Sequence, residues 1–167
     1  MLSTGANGAV VLGTTSADRQ TFFDQLDNLI AAVPGGPDAL YMNVAIRSKI
    51  LSAMRRENQY VEPVGEKREP SYQGIPLVDI GTKADGTNII LATETQGTAV
   101  DSSSIYAVKF GRDESDQAVT GLTNGGVQVI DLGEQDTKPV FRTRIEFYTG
   151  LAVFGKGAAR LVGVRNA

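Results

Sequence analysis

Residues 140 to 154 read VFRTRIEFYTGLAVF, and within that run Phe141, Thr143, Ile145, Phe147 and Thr149 alternate with Arg142, Arg144, Glu146 and Tyr148. A helix would spread these apolar side chains around its axis, whereas a strand, with its period of two, gathers them on one face. The stretch therefore predicts a strand with one aromatic and aliphatic face and one charged face. Phe147 is expected in the core, beside Ile145 and Phe141.

Five more apolar runs have the length and residue types of strands: GIPLVDI, NIILATE, SIYAVKF, GVQVIDLG and AARLVGV. Two helical patterns precede them. In TTSADRQTFFDQLDNLIAAVPGGP, Phe22, Phe23, Leu26, Leu29, Ile30 and Val33 recur at helical spacing, Thr15 and Asp18 can form a capping box, and Pro34, Gly35 and Gly36 stop the helix. ALYM is a short strand candidate, after which Asn43 can cap a second helix through VAIRSKILSAMRRE. There Ile46, Ile50, Leu51 and Met54 form an apolar stripe, with Arg47, Lys49, Arg55 and Arg56 on the other faces. The opening MLSTGANGAVVLG, rich in Gly, Ser, Thr and Asn, reads as part of a flexible lead-in over residues 1–15, and NQYVEPVGEKREPS at 58–71 as an exposed loop. Helices followed by strands, without regular βαβ alternation, predict an α+β fold with a mostly antiparallel sheet, one domain over residues 16–167.

At 167 residues, 41% hydrophobic and 21% charged, the chain is expected to fold as one soluble globular domain. No run reaches the ~18 apolar residues of a spanning helix, and no signal peptide opens the sequence, so no membrane partner and an intracellular site of synthesis are expected. There is no Cys and no His. Disulfides, thiolate nucleophiles, serine triads and His-ligated metals are thereby excluded. A net charge of −3 gives no global attraction to nucleic acid.

Gly150, Gly155 and Lys156 in TGLAVFGKGAARLVGV match the spacing of a phosphate-binding loop. The residues between the glycines are Leu151, Ala152, Val153 and Phe154, and the position of the Mg²⁺-binding hydroxyl is Gly157. Such a loop would turn apolar side chains toward phosphate oxygens, so a strand, a turn and a second strand is the reading here. Asp113, Glu114 and Asp116 in GRDESDQ lack the central Gly and terminal Glu of a calcium loop and read as solvated loop charges. Asp24 and Asp27 can share a helix face, but nothing else in the sequence converges on them; no enzyme activity, metal or cofactor is expected. The basic set Arg47, Lys49, Arg55, Arg56, Lys67 and Arg68 has only Tyr60 among it for base stacking. It is a solvated face, a contact to acidic neighbours or, less compatibly with its aromatic content, a nucleic-acid patch. Arg142, Arg144 and Glu146 share a strand face, and either pair with another subunit or stand in water.

Taken together, GGPDALYMNVAIRSKILSAMRR, YQGIPLVDIG, SSSIYAVKFG, GLTNGG and VIDLGEQDTKPVFRTRIEFYTGLAVFGKGAARLVGV, in that order, resemble the major capsid proteins of tailed bacteriophages and prophages, which have the Hong Kong 97 type shell fold. The resemblance runs from about residue 17 to residue 164. It implies peripheral-type elements at 16–33 and 140–150, axial-type elements at 39–111, and a structural subunit of an icosahedral shell around DNA. On this view Arg47, Lys49, Arg55, Arg56, Arg142, Arg144 and Glu146 are subunit-interface candidates. The implied partners are copies of the chain, scaffold or portal proteins, and DNA held non-specifically, with assembly in a bacterial cytoplasm and residence in a virion. An N-terminal arm and an extended loop, which in such subunits precede the point matching Met1, are without counterpart here, so this chain alone is expected to give monomers or low-order oligomers rather than closed shells. The alternative is a stand-alone protein- or nucleic-acid-binding module derived from a capsid domain.

Overall fold

The structure, a computed structural model, describes residues 10–13, 15–57, 70–97, 99–116 and 118–166. Helix α1 (Ser16–Ala31) begins where Thr15 adopts extended backbone angles and its hydroxyl oxygen accepts from the Asp18 amide. Helix α2 (Val44–Arg56) begins in the same way, with Asn43 Oδ1 accepting from the Ile46 amide at 2.9 Å. Each cap satisfies an N–H group that the first helical turn cannot. Phe22, Phe23, Leu26 and Leu29 of α1 and Ile46, Ile50, Ala53 and Met54 of α2 are buried, following the helical period read from the sequence.

Among the described residues there are nine strands: β1 (Val10–Leu12), β2 (Ala39–Met42), β3 (Ser71–Tyr72), β4 (Ile75–Asp79), β5 (Glu94–Gln96), β6 (Ala99–Val108), β7 (Val119–Gln135), β8 (Lys138–Val153) and β9 (Ala158–Asn166). Seven make one sheet in the order β1-β9-β6-β2-β4-β3, with β5 also on β6. The β1–β9 and β2–β4 pairs are parallel and the remaining four antiparallel. β7 and β8 form a separate antiparallel hairpin. This is the mixed α+β, mostly antiparallel architecture that the order of the elements predicts.

Both helices cover one face of the sheet. Leu12, Leu40, Met42, Leu77, Ile105, Ala107, Leu161 and Val164 from five strands join the helical side chains in one core. Strand β6 shows how the alternation divides the two faces: Ser103, Ile105 and Ala107 turn toward the helices, and Ser102, Ser104 and Tyr106 turn away. Ser103 is buried, and its hydroxyl accepts from Asn43 Nδ2 at 2.9 Å. On the opposite face the Ser104 hydroxyl and Arg160 Nη2 both donate to the Glu94 carboxylate, the latter at 2.9 Å, and the guanidinium lies 5.3 Å from the Tyr106 ring centre. A partly buried charge is thus paired and hydrogen-bonded, which offsets its desolvation.

Strand β3 is pinned to α1 through Tyr72, whose ring stacks on Phe23 at 5.6 Å and whose hydroxyl donates to Asp27 Oδ1 at 2.8 Å. Burial, and then the hydrogen bond to Asp27, push the phenol well above its ordinary range. The fold therefore favours the neutral phenol. The stability this contributes is fully present below the unfolded phenol's pKa of about 10 and declines as pH rises beyond it. Urea midpoints from about pH 9 to about pH 12 should fall with pH, and less steeply in Tyr72→Phe; equal slopes would remove Tyr72 as the cause.

Two expectations need correction. Val10–Leu12 is not loose lead-in but an edge strand, in parallel register with Val164 to Asn166 of β9. The run NIILATE is not a strand; only its last residue, Glu94, enters one, and Ile89 and Leu91 are exposed while Ile90 is buried. Its start instead closes a tight turn, in which Asn88 bridges Thr82 and the Ile89 amide donates to the Gly81 carbonyl at 3.2 Å. The expected loop at 58–71 lies mostly outside the described residues, as does most of the lead-in.

Candidate functional site

The long hairpin is rooted in the main sheet. The Val119 amide donates to the Lys109 carbonyl at 2.8 Å, the Phe154 amide to the Ala118 carbonyl at 3.0 Å, and the Lys109 amide to the Gly157 carbonyl at 2.9 Å. Ala118, Val119 and Thr120 at its base are buried. From Gly121 outward nearly every residue of both strands is exposed, over strands of 17 and 16 residues. A typical strand has about 5–6 residues, and a two-stranded hairpin without cover is marginal in water.

Register assigns the side chains to faces. Val127 lies opposite Phe147, Val129 opposite Ile145 and Gly121 opposite Leu151, so that Phe141, Ile145, Phe147, Leu151 and Val153 of β8 share a face with Val127 and Val129 of β7. Exposure of these seven runs from 55% at Phe147 to 75% at Phe141. The other face carries Arg142, Arg144 and Glu146, with Arg144 Nη2 donating to Glu146 Oε1 within the strand.

The alternation read from the sequence is thus present, but Phe147, Ile145 and Phe141 are not in the core. Period two reports which side chains share a face; it does not say whether a second layer covers that face. Phe147→Ala should accordingly change the unfolding free energy by no more than about 0.5 kcal/mol, as substitutions outside packed cores do. A loss of several kcal/mol on urea unfolding would mean that the face is covered within the monomer.

The remaining candidates scatter. Lys49, Arg55 and Arg56 stand exposed on α2, while Arg47 is half-buried, its Nε enclosed without a hydrogen-bond partner among the described residues. Lys67, Arg68 and Tyr60 lie outside the described residues. The α2 set and the Arg142, Arg144 and Glu146 set occupy different elements, α2 packing on β1 and β4. Asp24 accepts from Gln20 Nε2, and Asp27 from Tyr72 and Gln73. Asp113 accepts from the Ser115 amide and hydroxyl, which hold its carboxyl below the usual range, and Asp116 accepts from the Arg112 amide. These acids organise a helix surface and a loop; they do not converge on a common point.

Lys156 sits in the turn at 155–157 between β8 and β9, with Gly150 inside β8, so the strand, turn and strand expected there are present. Isothermal titration with ATP and Mg²⁺ should show no saturable heat. Saturable heat that disappears in Lys156→Ala would overturn this.

The fold as a whole recurs in a solved structure. This chain is similar to a chain of the cryo-EM structure of the holo-SrpI encapsulin complex from Synechococcus elongatus PCC 7942, with 19% sequence identity and a TM-score of 0.54, over 96% of this chain and 52% of that one. It spans about half of that chain's length. No family model and no curated protein sequence matches. The fold is of the Hong Kong 97 type, as the sequence resemblance implies. What the sequence reading missed as a site is the apolar hairpin face. Its signal was there in the combined length of GVQVIDLG and VFRTRIEFYTGLAVF, far more strand than one small core can cover.

Proposed function

We propose that this chain is a structural shell subunit, whose role is to associate with copies of itself through the β7–β8 hairpin and the lateral surfaces of its body. The observation that carries this is the exposed apolar face of the hairpin, with seven large side chains more than half in water. Exposed apolar patches of this extent, edged by charges, mark surfaces made for another protein. The Hong Kong 97 type fold agrees with the reading, since its solved example here is an encapsulin complex. The finer assignment, a capsid subunit of a tailed phage or prophage that encloses DNA and meets scaffold or portal proteins, rests on the sequence phrases alone. On this proposal the chain performs no chemistry.

Sedimentation velocity over a micromolar to millimolar range tests it. We expect monomer at the dilute end and a concentration-dependent rise to low-order oligomers, because association must first offset about 4–15 kcal/mol of lost freedom. Monomer throughout the range would overturn the proposal.

A further inference from the structure

The two outer edges of the hairpin differ in a way that selects one of them. Strand β7 carries extra residues between Thr123 and Val127 and between Asp131 and Glu134, where Gly125, Gly126 and Gly133 hold φ values of +74°, +72° and +71°. Those left-handed positions break the spacing that an incoming strand would need to follow, which is how natural edges are blunted. Strand β8 has no extra residue between Phe141 and Val153, and no Pro or Lys there to guard it. Its outer edge, unpaired among the described residues, is an open ladder.

We propose that β8 pairs antiparallel with β8 of a second copy of this chain about a two-fold axis through Ile145, making one four-stranded sheet in the order β7-β8-β8-β7. The occupant is argued from charge. In an antiparallel pair, residues directly opposite share a face, so an axis on a residue keeps the apolar faces together, while an axis between residues sets apolar side chains against charged ones. Of the axes on neighbouring residues, one at Arg144 opposes Arg144 to itself, one at Glu146 opposes Glu146 to itself, and one at Thr143 opposes Arg142 to Arg144. Like charges directly opposite are destabilising. The axis at Ile145 sets Arg144 against the partner subunit's Glu146, and does so twice, next to the Arg144–Glu146 pair already made within each strand. Four charges then alternate around the axis. On the apolar face the same register sets Phe147 against the partner subunit's Thr143 and Phe141 against the partner subunit's Thr149, large beside small. An axis at Phe147 opposes Glu146 to Tyr148 and forgoes the charge pairing.

This contact rests on self-association and specifies its geometry. The chain has no Cys, so single-Cys variants of the full chain report it cleanly. In the proposed register two Ile145 residues face each other within the Cα separation a disulfide spans, about 4.4–6.8 Å. Two Phe141 residues lie about 27 Å apart, eight positions along the sheet. Ile145→Cys should give a disulfide-linked dimer as the main product of mild oxidation at tens of micromolar chain, and Phe141→Cys should not. Both residues are exposed, so neither variant should disturb folding. Arg144→Glu should raise the dimer dissociation constant about tenfold or more, and adding Glu146→Arg should restore it, with thermal unfolding of the monomer unchanged throughout. Equal cross-linking of the two Cys variants, or dimerisation indifferent to Arg144→Glu, overturns the contact. Self-association that persists without the Ile145→Cys cross-link leaves the shell reading standing and removes this contact; monomer with no cross-link removes both.

Discussion

Phe22→Ala is expected to cost about 3–5 kcal/mol of unfolding free energy. Phe22 is fully buried on α1's inner face, its ring packed edge-on against Phe23 at 5.6 Å and joined in one core to strands on both sides of β6. Truncation to the β-carbon leaves a void that a helix bound to a sheet on one side cannot collapse to fill, so the lost transfer energy and the cavity add. The contrast with Phe147→Ala is the informative part. Both are phenylalanines at the periodicity proper to their element, yet one closes a core and the other faces water. A urea midpoint for Phe22→Ala close to that of the parent would mean that α1 does not pack as described.

Asn43→Ala is expected to cost about 2–4 kcal/mol, through two losses at one side chain. The Oδ1 caps α2 by accepting from the Ile46 amide, and removing a cap costs about 1 kcal/mol. The Nδ2 donates to Ser103 Oγ inside the core, and a buried hydroxyl left without its partner costs about 1–3 kcal/mol. Because both bonds meet in one residue, Asn43→Ala and Ser103→Ala should be non-additive in a double-mutant cycle. A loss below about 0.5 kcal/mol for Asn43→Ala, the range of ordinary surface changes, would contradict both bonds.

Asn43 also shows what a single sequence discloses. Its capping role was legible because the chemistry is local: a short polar side chain three residues ahead of a backbone amide. The same is true of Thr15, of the helical stripes, and of the turn at 155–157 that imitates a phosphate loop. The bond from Asn43 to Ser103 joins residues 60 apart and was not legible, since nothing in either segment names the other. NIILATE failed for a related reason. Its residues suit a strand, but its start folds back on Gly81 and Thr82 in a tight turn, a pairing that the run by itself does not disclose. At the candidate site, alternation over residues 141–149 disclosed the two faces of β8, and the choice between core and surface depended on a covering layer that the sequence pattern does not encode. The basic residues of α2 and the charged residues of β8 were each recognisable as surface, but their separation on different elements follows only from the topology.

Whether another subunit covers residues 119–153, as proposed, is read by hydrogen–deuterium exchange at two protein concentrations. In dilute solution the amides of β8 that point away from β7 should exchange quickly, while those of β2, β6 and β9, in the middle of the sheet and beside the core, stay protected. At high concentration new protection is expected, confined to the hairpin and strongest around Ile145, with the body unchanged. Exchange in residues 119–153 that is the same at both concentrations, whether uniformly fast or uniformly slow, would contradict the proposal.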